Sequence, residues 1–139
     1  MRARLVAIAV AFVSAIVLGS CNSHSTESDR VADVVRHYLD SFARKDAAAM
    51  ASDYSPTCHA RPTELQAELD RLAQPLRVDI QSIDVTMPST RTANAVAHGT
   101  LFVGARALPL TGPAGNEEFH LIEVGTRWKI ANCPGQPAG

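Results

Sequence analysis

Apolar residues Val31, Val34, Val35, Tyr38, Leu39 and Phe42 recur at the 0, 3, 4, 7, 8, 11 spacing of one helical face. The spacing predicts a helix from about Arg30, capped by Asp29 or Ser28, with the acids Asp29 and Asp33 at its positive end. After the break "ARKD", the stretch "AAAMASDY" predicts a short second helix. A third is predicted over "RPTELQAELDRLA", with Pro62 in its first turn and Leu65, Leu69 and Leu72 on one side. From Leu76 the period changes to two. Val78 and Ile80 alternate with Arg77, Asp79 and Gln81, after which the apolar phase slips to Ile83, Val85 and Met87, so a bulge near Gln81 or Ser82 would keep both sets on one face. Residues 91–103, 117–124 and 127–133 predict three further strands, and Gly125 predicts a tight hairpin between the last two. The stretch "GARALPLTGPAGN" is rich in breakers, and its "RALPL" reads either as a short edge strand or as a loop.

Ahead of these elements lies a segment of different character. Arg2 and Arg4 precede a run from Leu5 to Leu18 with no charge, the layout of a secretory signal. As a helix this run would reach roughly 21 Å, short of the ~30 Å hydrocarbon core that a permanent span must cross. The run ends in Leu18, Gly19, Ser20 and Cys21, which resembles the lipobox of bacterial lipoprotein precursors at all four positions. That resemblance implies cleavage before Cys21, a diacylglycerol on its thiol and acylation of the new amino terminus. Two or three chains, at about 0.8 kcal/mol per buried methylene, give a stable anchor. The alternative is an ordinary secreted protein with an incidental cysteine.

The chain has three cysteines, an awkward number for an exported protein. With Cys21 lipidated, Cys58 and Cys133 remain as one pair in a compartment where disulfides persist; the competing reading is two separate buried thiols. Removal of the first twenty residues takes the basic count from 13 to 11 against 14 acids, a surface with no basic surplus for nucleic acid. The expected organisation is a leader over 1–20, the lipidated cysteine and a flexible tether over 21–29, one domain over 30–133 and a tail over 134–139. The expected location is the extracytoplasmic face of the cell membrane, held through the lipid on Cys21.

Three helices followed by antiparallel strands is an α+β pattern in which the helices cover one face of the sheet. Over roughly 30–133 the chain resembles the NTF2-like, cystatin-related cone, including its SnoaL-like branch. "FHLIEVGTRWKIANC" is similar to the closing hairpin of small actinobacterial lipoproteins with such a domain, and eleven Arg against two Lys fit a GC-rich genome. The resemblance implies a curved sheet wrapped around a long helix, with a pocket at the open end. In the ketosteroid isomerase-like enzymes of this fold, a pocket carboxylate moves a proton while a tyrosine on the first helix and a protonated acid hold the oxyanion.

Tyr38, on the apolar stripe of the first helix, could take the tyrosine's place, or could simply be a core tyrosine bonded at the rim. The base is harder to find. Asp79 and Asp84 alternate away from the apolar positions, and Glu123 is the one acid with a plausible inward phase, although Ile122 and Val124 leave its facing open. Of the histidines, His98 and His120 lie on strands and would meet only in one register. The set lacks the spacing of a metal motif, and no metal or other cofactor is expected. Ala93, Ala95, Ala97 and Gly99 place small residues in a row on one face, which either lets a helix pack close or leaves a cavity. The pocket expected from these readings would gather Tyr38, Ala95, Ala97, His98, His120 and Glu123. The preferred function is a non-catalytic envelope lipoprotein binding a small apolar ligand or a partner protein; the alternative is an isomerase-like enzyme acting on a small apolar substrate.

Overall fold

A computed structural model of the chain describes residues 25–110 and 118–135; the leader, Cys21 and most of the tether lie outside them. Helix α1, Glu27–Ala43, starts three residues before the apolar stripe suggested, because Thr26 and Asp29 form a capping box. The Asp29 N–H donates to Thr26 Oγ1 at 3.1 Å, and Asp29 Oδ2 accepts from the Thr26 N–H at 2.8 Å. Asp29 is therefore the third residue of the helix rather than its cap. The stripe itself is the buried face: Val31, Val35, Tyr38 and Leu39 are buried, and Val34 and Phe42 pack against them. Asp46 caps α2, Ala47–Asp53, by accepting from the Ala49 N–H at 3.0 Å. A 3-10 turn over Pro56–Cys58 follows, then α3, Pro62–Arg71, which begins on its proline and buries Leu69.

The sheet is antiparallel, in the order β1 (Leu76–Ser89), β2 (Thr92–Val103), β4 (Glu118–Val124) and β5 (Arg127–Ile130), and β3 (Arg106–Pro109) pairs with β2. Strand β1 follows β2 along one edge. On the other edge, β2 pairs its first half with β4 and its second half with β3, so the sheet curls about that strand. The slip of apolar phase in β1 is a bulge: Ile80 lies opposite Gly99 and Ser82 opposite His98, with Gln81 as the extra residue. Gly99 makes the bulge possible. A Cβ there would stand 2.0 Å from the Asp79 carbonyl oxygen, and its φ of +157° is one that side chains disfavour. "RALPL" proves to be a strand over its first four residues. The last hairpin turns through Gly125 (φ 63°) and Thr126, with Val124 opposite Arg127.

Strand β5 stops at Ile130, three residues short of the expected end. Beyond it the Asn132 side chain takes over the pairing, accepting from the His120 N–H at 3.0 Å and donating to the Glu118 carbonyl at 2.9 Å. The core lies between α1 and the inner face of the sheet, where Phe119, Leu121, Ile130, Val31 and Val35 are fully buried. Cys58 and Cys133 form a disulfide with Cα atoms 5.0 Å apart. It extends a join already made by Tyr54, which bridges Ile130 in parallel, and by the Ser55 N–H, which donates to the Ile130 carbonyl at 2.7 Å.

Candidate functional site

Tyr38 and Tyr54 meet inside the curl of the sheet, hydroxyl to hydroxyl at 2.9 Å, with Tyr38 7% and Tyr54 5% exposed. Their rings are edge to face, and Tyr38 stands in the same way against Phe119. Phe119 lies opposite Ala95 on the neighbouring strand, so the small side chains of Ala93, Ala95 and Ala97 make room for a phenylalanine and a helix. At Ala93 and Ala95, set opposite Leu121 and Phe119, the row is closely packed. Burial, then the neighbouring Tyr54, push the Tyr38 hydroxyl well above its ordinary range, and burial also raises Tyr54. Both phenols are neutral hydrogen-bonding groups, each satisfied by the other.

The remaining residues of the expected pocket lie elsewhere. His98 is on the outer face of the sheet, with Nε2 2.8 Å from Asp84 Oδ2. His120 is on that face too, with Nδ1 2.9 Å from Asn94 Oδ1. The register sets His120 opposite Asn94 and His98 opposite Ser82, so the two histidines do not meet. Glu123 keeps the inward phase of Phe119 and Leu121 but sits at the end of the strand, 3.8 Å from Arg91. The structure thus brings Tyr38, Ala95 and Ala97 into one core cluster and leaves His98, His120 and Glu123 apart from it. Among the described residues no group of three or more His, Cys, Asp or Glu side chains converges.

A second constellation formed that the sequence reading missed. Asp53, 8% exposed, ends α2 and accepts a 2.7 Å hydrogen bond at Oδ2 from His37 Nδ1, whose side chain is half exposed on α1. Burial raises the Asp53 carboxyl above the usual carboxylate range, against the opposing pull of His37. The pair opens on a groove of about 430 Å³ between α1, the end of α2 and β5, into which Arg30, Ser52, Arg127 and Lys129 also face. One signal was available in the sequence: an acid in the last turn of a helix opposes the macrodipole and implies a compensating partner. A further hollow of about 500 Å³ lies beside the disulfide and α3, lined by Ala60, Leu65 and Glu68 among others. Among the described residues no helix is long and apolar enough to cross a membrane.

No family model and no curated protein matches the sequence. Solved structures do match the fold. An NTF2-like protein of unknown function from Shewanella oneidensis is similar at 14% identity and a TM-score of 0.54, over 76% of this chain and 95% of the other. One from Pseudomonas putida is similar at 10% identity and a TM-score of 0.55, over 75% and 81%. A domain with a cystatin-like fold from Nostoc punctiforme is similar at 11% identity and a TM-score of 0.51, over 76% and 74%. The fold is the NTF2-like cone, with helices packed on a curved antiparallel sheet.

Proposed function

We propose that this NTF2-like domain is held at the extracytoplasmic face of a bacterial cell membrane by a lipid on Cys21, and that it works there by binding rather than by catalysis. The observation that carries the anchor is the disulfide. It consumes Cys58 and Cys133 and leaves Cys21, behind Leu18, Gly19 and Ser20, as the one remaining cysteine of the chain. A closed bridge also suits an oxidising compartment. Support for a binding role comes from the interior: the hydroxyls of Tyr38 and Tyr54 are spent on each other, and Asp53 is bonded to His37. A proton-moving carboxylate would have to stand against a substrate beside that phenol. The Tyr38 hydroxyl is already bonded to Tyr54 and its ring stands against Phe119, which favours an envelope protein, met at the surface, over an apolar ligand seated on that tyrosine.

Expression of the full chain in a bacterial host, with wild type compared to Cys21→Ala, tests the anchor. Wild type should partition into the detergent phase, with its N-terminal peptide carrying a diacylglycerol mass increment; the variant should lose both and keep its disulfide. A variant that stays in the detergent phase, or a wild-type N-terminal peptide with no mass increment, would overturn the assignment.

A further inference from the structure

The groove over the His37–Asp53 pair carries an inference independent of the anchor. Its charges are unevenly compensated. Arg30 is bonded to Glu27 at 2.6 Å, Asp33 to Arg36 at 2.9 Å and Asp53 to His37 at 2.7 Å. Among the described residues neither Arg127 nor Lys129 makes an ion pair within 4.0 Å, although the Lys129 charge helps to hold down the Asp53 carboxyl across the groove. Alternation along β5 puts both on one side, while the buried Trp128 between them donates its indole N–H to Glu27 at 2.9 Å. Lys129 Nζ donates to the Ser52 carbonyl, which pins an ammonium across the groove and leaves its other N–H bonds available. Opposite stands an imidazole whose Nδ1 is held by a carboxylate fixed in the core, which orients the ring and frees Nε2 for a ligand. One unpaired cation, a second that shares its field with the Asp53 carboxylate, and one oriented histidine around about 430 Å³ make a concave site with convergent polar groups, of a size usual for small molecules.

We propose that this groove binds a small phosphate- or carboxylate-bearing ligand, with Arg127 and Lys129 holding the anion and His37, as the imidazolium, donating to it from Nε2–H while Nδ1–H stays on Asp53. The chemistry would be shared by a soluble anion and by the phosphate of a lipid headgroup.

The test follows the ring signals of His37 by proton–carbon NMR in the full chain during titration with inorganic phosphate, with succinate and, separately, with phosphatidylglycerol vesicles. The expected result is a saturable shift of His37, with the dissociation constant raised at least tenfold in the double variant Arg127→Gln, Lys129→Gln and about tenfold in a calorimetric titration of His37→Gln. Arg127 is exposed and Lys129 makes one hydrogen bond, to the Ser52 carbonyl, so the urea midpoint of the double variant should fall only slightly and its ligand-free His37 signals should match wild type. A response to vesicles that is absent with both soluble anions, and is lost in the double variant, supports the site and assigns its phosphate to a lipid. No saturable response to any of the three, or equal affinity in the double variant, overturns the proposal. Because the variants retain Cys21, failure here leaves the detergent partitioning of the chain unchanged.

Discussion

Asp53 is where burial and charge oppose each other most directly. Its carboxyl is raised in the folded chain by desolvation. A group whose folded value lies above its unfolded one favours the fold when protonated; that contribution is complete below the unfolded value, near 3.9, and is lost as pH rises through the folded one. Asp53→Asn removes the titration and keeps an oxygen for His37 Nδ1. The stability of the variant relative to wild type should therefore rise from pH 3 to pH 7, measured as the difference between paired urea titrations, in which the other carboxylates cancel. A difference that is flat or falls with pH would contradict the burial argument. Gly99 presents a purely steric case. Alanine there places Cβ 2.0 Å from the Asp79 carbonyl oxygen and 2.9 Å from Leu110, with no flexible end on the carbonyl to yield. Gly99→Ala should cost roughly 2–4 kcal/mol of unfolding free energy.

Among the elements, β1 depends most on a single inserted residue. Gln81 lets Val78 and Ile80 on one side of the bulge, and Ile83, Val85 and Met87 on the other, face the same core. Deleting Gln81 forces either set to the outer face, since a one-residue slip inverts every side chain. Each displaced aliphatic loses about 1.5–3 kcal/mol of burial at most, less here because these positions are only partly buried. Across several positions the deletion should leave little cooperative unfolding, and a sharp thermal transition by circular dichroism would refute this account of the bulge. Helix α1 shows a gentler dependence. Thr26→Ala removes the oxygen that accepts the Asp29 N–H and should lower stability by about 1 kcal/mol, read from the urea midpoint.

For the whole molecule, the disulfide ties the segment after α2 to the chain beyond β5 across 75 positions. The chain-entropy model assigns a loop of that length about 4.5 kcal/mol, a ceiling reduced by any residual structure in the unfolded chain. That approaches the whole stability of many small domains. The paired substitution Cys58→Ser, Cys133→Ser should cost about 2–4 kcal/mol, and reductant should lower the wild-type urea midpoint without affecting the variant. Equal sensitivity of both chains would mean that the bridge is not what the reductant breaks.

Period alone determined most of the architecture. The α1 stripe, the three helices, the slip of phase in β1 and the strands beyond it follow from spacings of 3.6 and 2, because burial on one face imposes those periods on any sequence. The start of α1 needed the capping box, a polar exchange between Thr26 and Asp29 that apolar spacing does not register. The pairing of Cys58 with Cys133 followed from counting once Cys21 was set apart, but only the parallel bridge of Tyr54 to Ile130 brings their backbones within reach. The candidate site was the least legible part. Whether Ala95 borders a cavity or a phenylalanine depends on which residue β4 sets opposite, and this register chose Phe119. His37 and Asp53 are sixteen positions apart on different helices, and no periodicity links them. They meet because Asp46 caps α2 after a short break and its last turn then folds back onto α1. Local pattern determines which face of an element is buried; what two elements place against each other is decided by packing between parts of the chain that the pattern does not connect.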